Sequence, residues 1–280
     1  MKNNLNAFTA MCLLFLLLLA SASITEGVLS EVIYYSAFIL PTILGILCDN
    51  KLRKEESAHD REYPEVKNLF SFNKDGAMVL LQVLFPTIAL VMSVSWLSAK
   101  LIGAMSGVQP TVDAGDNFLF AILIHACVPA LLEEMLFRFM PMRMLARHSA
   151  RLTVVISSLY FALVHNSFFS MPYALLAGLI FITVDLLTES IWPSVILHFC
   201  NNAMSVVWIF FGAQAKNAII ISISLALLSF ISVIFIIMER KRHISRIKTL
   251  LASGDSYKLG YTPLAVIVPT VFFAISELIS

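Results

Sequence analysis

Charge is scarce in this 280-residue chain: only 13% of its residues are Asp, Glu, Lys or Arg, while 59% are hydrophobic. With a mean hydropathy of +0.86, that scarcity excludes an ordinary soluble enzyme. Lysine and arginine total 19 against 18 acidic residues, so there is no cationic surplus of the kind that binds nucleic acid. Cysteine is thin as well. Cys12, Cys48, Cys127 and Cys200 lie far apart, in or at the ends of apolar segments, with no Cys-x-x-Cys pair; this excludes a disulfide or zinc framework and leaves packing thiols. Internal repeats and low-complexity tracts are absent too.

What the chain does have is apolar runs near 20 residues, each long enough to cross a hydrocarbon core of about 30 Å. They predict nine spans, at 7–25, 28–48, 76–98, 117–140, 151–167, 171–188, 192–211, 217–238 and 261–279. Lipid offers the backbone no hydrogen-bond partners, and barrel-type alternation is missing, so the fold class is an all-α polytopic transmembrane bundle. Three breaks, Lys51 to Lys74, Arg138 to Arg151 and Arg240 to Lys258, hold most of the basic residues. With a cytoplasmic N-terminus, nine spans place 17 of the 19 on the cytoplasmic side and leave Lys100 and Lys216 outside, as the positive-inside rule requires. Lys2, the run Met11 to Leu19 and Ala20-Ser21-Ala22 also fit a cleavable signal peptide; removing it leaves eight spans in the same orientation. The reading divides the chain into N-terminal helices over 1–116 with a cytoplasmic loop at 49–75, a helical core over 117–215, and C-terminal helices over 216–280 with a basic loop at 239–260. It describes an integral, multi-pass protein of the plasma membrane.

Ionisable side chains inside spans cost a few kcal/mol each on insertion scales, so each marks a functional hypothesis. Here they cluster on three helices: Glu133, Glu134 and Arg138 on the fourth, His165 on the fifth, and His198 and Asn202 on the seventh. Glu134 and Arg138, four apart, share a face and can form an ion pair that lowers the cost of burying both. Glu133, turned about 100° from Glu134, cannot join that contact and is the freer carboxylate, suited to taking a proton from water and returning it. His198 and Asn202, also four apart, project together as an imidazole N–H and an amide NH2, two donors that can hold the oxyanion of a tetrahedral intermediate. His165 can complete a water-activating pair with Glu133 or ligate a metal. His125 and Asp185 read as structural and helix-bridging respectively. The mismatch between the depth of His198 and that of Glu133 is met by a cavity open to the cytoplasm.

Glu-Glu-x-x-x-Arg at 133–138, Phe-x-x-x-His at 161–165 and His-x-x-x-Asn at 198–202, with Gly178 and the Ser190-Ile191-Trp192-Pro193 lead into the last helix, resemble the three ordered motifs of the CPBP family. That family comprises the CAAX prenyl endopeptidase and bacteriocin-processing intramembrane proteases, also called Abi proteins. The resemblance covers about 117–215. It implies an intramembrane endopeptidase in which Glu133 and His165 activate water, His198 and Asn202 hold the oxyanion, and Glu134 and Arg138 support them. The family's metalloprotease label leaves two forms of the chemistry open: glutamate and histidine alone, or a divalent metal such as zinc on Glu133, His165 and His198. The implied partners are a membrane peptide or protein, lipidated or not, and the bilayer. Short loops and the lack of an added soluble domain favour the bacterial role, processing of membrane peptides or bacteriocin immunity. No His-Glu-x-x-His, Gly-x-Gly-Asp or Gly-x-Ser-Gly occurs, which argues against three other intramembrane protease types. The competing class is a non-hydrolytic membrane protein using the same polar cavity: an immunity or scaffolding protein, or a small transporter, although the repeated halves usual in transporters are missing.

Overall fold

The computed structural model describes residues 2–57, 69–106, 116–146, 149–165, 167, 169–212 and 215–252. Its elements are all helical: α1 (Lys2–Ser23), α2 (Gly27–Ser57), α3 (Lys74–Ser106), α4 (Phe118–Met144), α5 (Ala150–Val164), α6 (Met171–Thr188), α7 (Trp192–Phe211), α8 (Ala215–Met238) and α9 (Arg240–Ala252). Among the described residues seven helices are long and apolar enough to cross a membrane: α1, α2, α3, α4, α6, α7 and α8. Their outward faces carry rows of exposed apolar side chains such as Leu13, Leu17, Leu47, Leu81, Ile223, Leu227 and Phe230. In water such faces would aggregate; against lipid tails they cost nothing. The ninth predicted span, 261–279, lies outside the described residues.

Two sequence readings are corrected. The fifth span is shorter than 151–167: α5 has 15 residues, roughly 22 Å at 1.5 Å per residue, and falls short of the hydrocarbon thickness. The basic stretch at 239–260 is also not simply a loop, because α9 occupies its first half. Arg242 reaches Asp75 at 2.6 Å, and Arg246 reaches both Asp75 at 3.3 Å and the Leu187 carbonyl at 2.6 Å. These contacts hold α9 across the start of α3 and the end of α6. Leu250 packs against the core, so the helix has an apolar side that a count of its charges hides.

α4 carries two π-helical turns, Leu123–Cys127 and Met135–Phe139. Each precedes a proline, Pro129 or Pro141, that has no N–H to give the carbonyl four residues back. The turns widen instead: Val128 N–H reaches Leu123 and Met140 N–H reaches Met135, each five residues away. The Phe137 carbonyl, which Pro141 leaves without a helical donor, accepts the hydroxyl of buried Ser157 from α5. Membrane helices tolerate prolines when neighbours satisfy the freed groups in this way. The two glutamates lie between the π turns, a common placing for functional residues.

Close packing fixes α4 to its surroundings. A Cβ on Gly178 of α6 would sit 3.0 Å from the Ser158 backbone of α5, so only glycine lets those helices approach as they do. Asp185 near the end of α6 accepts the Ser194 N–H at 2.9 Å in the first turn of α7, which makes it helix-bridging. At the basic end of α4, buried Asp49 of α2 binds Arg53 at 2.7 Å and Arg143 at 2.6 Å. Arg143 also donates to Asn50. All four cysteines are unpaired thiols.

Candidate active site

Glu134 joins two of the motif helices. It is fully buried; its Oε1 accepts from His198 Nδ1 at 2.8 Å, and its Oε2 lies 3.1 Å from Arg138 Nε. Arg138 is fully buried as well, and its guanidinium stands 4.2 Å from the centre of the Phe161 ring and 5.5 Å from that of Phe181. An arginine without water is tolerated here because a carboxylate faces one side and two aromatic faces the other.

The hydrogen-bond partners set the state of each imidazole. The Phe161 carbonyl, 2.8 Å from His165 Nδ1, can only accept, so that nitrogen carries the hydrogen and Nε2 of the neutral ring offers a lone pair. His198 follows the same logic: Nδ1 donates to the Glu134 carboxylate, and Nε2 lies 3.9 Å from Glu133 Oε2. The sequence reading gave His198 a free N–H for an oxyanion. That N–H is already committed to Glu134, so a second one exists only on the doubly protonated ring, between two carboxylates.

Glu133 keeps a little exposure, 13% of its side chain, and opens onto a cavity of about 1120 Å³. The same cavity is lined by His125, His165, Tyr173, Asn201 and Asn202 and by apolar residues including Met92, Trp96, Ile221 and Leu225. Asn201 donates to Asn202 Oδ1 at 3.4 Å, which leaves the Asn202 NH2 free to turn into the cavity. Glu133, His165 and Asn202 thus share one chamber, with His198 3.9 Å from Glu133. Glu134 and Arg138 are sealed beneath.

The cavity does not face the basic segments. It uses the second half of α3, the first half of α4, the far end of α5, the start of α6, the second half of α7 and the first half of α8. All lie toward the helix ends opposite Arg143, Lys74 and Arg240. α5 stops at Val164, and His165 follows as its C-cap residue at the end away from Arg151.

Among the described residues no three His, Cys, Asp or Glu side chains are placed to hold one metal ion. Glu133, His165 and His198 are thus not gathered as one ligand set in this structure.

Sequence reasoning gave no role to Phe161, yet it is central: its ring meets His165 at 4.8 Å, His198 at 5.5 Å and Arg138, and its carbonyl orients His165. Its four-residue spacing from His165 was the available signal. His125 is exposed to the cavity and not buried in packing. Tyr160 packs on Phe8 of α1 and is a core residue.

Residues 115–204, about a third of the chain, match the family model described as Type II CAAX prenyl endopeptidase Rce1-like. That stretch is similar to Rce1-like domains. The matched stretch includes all three motifs and is consistent with a CPBP-type intramembrane protease. No curated protein and no solved structure gives a match. With seven helices long and apolar enough to cross a membrane, the match is consistent with a protease in a multi-pass membrane protein.

Proposed function

We propose that the protein is an intramembrane endopeptidase in which Glu133 and His165 activate the attacking water and His198 and Asn202 hold the oxyanion, with Glu134 and Arg138 as positioning residues. The observation that carries this reading is the shared chamber: a carboxylate, an imidazole with its Nε2 unblocked and a side-chain amide line one largely apolar cavity. Water gives its proton to Glu133 as its oxygen attacks the scissile carbonyl carbon. The negative oxygen that forms accepts from Asn202 Nδ2 and from Nε2–H of the protonated His198. When the tetrahedral intermediate collapses, the C–N bond breaks and Glu133 returns its proton to the leaving amine.

Glu134 receives His198 Nδ1–H and faces Arg138, so one carboxylate fixes the position of both side chains. The apolar walls at Met92, Trp96, Ile221 and Leu225 suit the hydrophobic part of a substrate, including a lipid chain attached near the cleaved bond. With the basic segments in the cytoplasm, as the positive-inside rule expects, this chamber would lie in the extracytoplasmic half of the bundle. Turnover of lipidated and unlipidated peptides by purified protein in liposomes, run beside Glu133→Ala, tests the reading. Release of new amino termini by wild type alone is expected; equal release by both, or by neither, sinks it.

A further inference from the structure

A second cavity, of about 220 Å³, lies between α2 and α4. Whereas α3 to α8 wall the chamber that holds His165 and Asn202, this cavity is walled, among the described residues, by α2 and α4 alone. It nevertheless ends on the same carboxylate. His125, Pro129 and Glu133, spaced four apart on α4, line both cavities and form the partition between them.

The smaller cavity has the chemistry of a wet site. Tyr34 and Tyr35 reach it from α2, and His125 and Glu133 from α4, which gives two hydroxyls, an imidazole and a carboxylate in a space large enough for several waters. Among the described residues Glu133 Oε2 is buried without a hydrogen bond, while Tyr34 and His125 are exposed and Tyr35 is half-buried. A buried carboxylate oxygen without a protein donor is satisfied by water, and the exposed side chains leave water a way in.

The main chamber poses a supply problem. A substrate whose apolar part lies against Trp96 and Leu225 fills the approach through which water would otherwise reach Glu133, yet each hydrolysis consumes one water. We propose that the Tyr34, Tyr35 and His125 cavity is a water port that delivers the hydrolytic water to Glu133 from behind while substrate occupies the front. The inference rests on the peptidase reading. In each cycle one water leaves the port, splits at Glu133 into the hydroxyl of the new carboxylate and the proton of the new amine, and is replaced from the port. His125, in contact with both spaces, forms the gate.

Two measurements test this, and one needs no activity. In a background lacking Cys12, Cys48, Cys127 and Cys200, Ile124→Cys is treated with a small charged thiosulfonate, alone and together with Val128→Phe. The port predicts rapid modification of the single variant and slowing of at least about 10-fold when Val128→Phe fills the cavity. In the native background Val128→Phe should lower kcat by at least about 10-fold with KM nearly unchanged, whereas Ala226→Phe, on the wall of the main chamber, should raise KM. An unreactive Ile124→Cys, or a Val128→Phe variant with wild-type kcat, overturns the port. A wild type without peptidase activity overturns the function instead, while thiol reactivity still reports whether water reaches α4 from this side.

Discussion

His198 Nδ1 and Glu134 Oε1 are 2.8 Å apart across two motif helices, and this bond decides which nitrogen of His198 faces Glu133. Glu134→Gln keeps the side chain's shape and an acceptor oxygen but removes the charge that balances protonated His198. We expect kcat to fall by about 10- to 100-fold with KM little changed, the pattern of an interaction made mainly in the transition state. Glu134→Ala strands Arg138 as an uncompensated buried charge, a loss of about 3 to 5 kcal/mol, and should show first as a lowered Tm in detergent. A fully active, thermally unchanged Glu134→Ala would remove Glu134 from both roles.

Glu133→Gln and His165→Ala take out the two proton acceptors that open on the chamber. Each should lower peptidase activity by more than about 100-fold, within the range of general acid-base groups. Neither is part of the sealed ion pair below, so each protein should insert and unfold as the wild type does. Wild-type turnover by either purified variant contradicts the assignment.

The three motifs could be read because each is a short-range helical pattern: residues four apart face the same way whatever surrounds them. The partners could not. Glu134 and His198 are 64 residues apart in sequence, and nothing local tells His198 that one of its nitrogens is taken. Span positions followed from hydropathy, yet the end of α5 did not, because Phe168, Phe169 and Met171 keep the sequence apolar past Val164, where the helix stops. In α9 the charges of Arg240, Lys241 and Arg242 mask the helical spacing of Ile247 and Leu250.

Orientation is tested at two exposed positions at opposite ends of the bundle. On a cysteine-free background, Met105→Cys near the end of α3 should react with an impermeant thiol reagent added to intact cells, while Ser245→Cys on α9 should react only after permeabilisation. The expectation follows from the 17 to 2 division of basic residues. The reverse labelling pattern would invert the protein and place the chamber in the cytoplasmic half.

Asn202 and Asn201 separate the proposed chemistry from mere polarity. Asn202 shares a helix face with His198, and its NH2 is free for an oxyanion because its carbonyl oxygen accepts from Asn201 at 3.4 Å. Loss of one oxyanion donor commonly costs about 3 to 4 kcal/mol in the transition state and little in the ground state. Asn202→Ala should therefore reduce kcat by about 10²- to 10³-fold at nearly constant KM. Asn201→Ala removes only the group that steadies Asn202, and a loss of about 10-fold or less is expected, since the free amide still samples the productive rotamer. A metal-ligand role for His198 predicts another outcome: His198→Ala would lose bound metal on elemental analysis, and a chelator would abolish wild-type activity as the substitution does. With Nδ1 held by Glu134, a proton-donating His198 predicts activity that survives chelation and a His198→Ala defect that no added metal restores. If Asn201 proves the sensitive position and Asn202 the tolerant one, the third motif has been read one residue out of register, and the oxyanion site lies on the face of α7 that Asn201 presents.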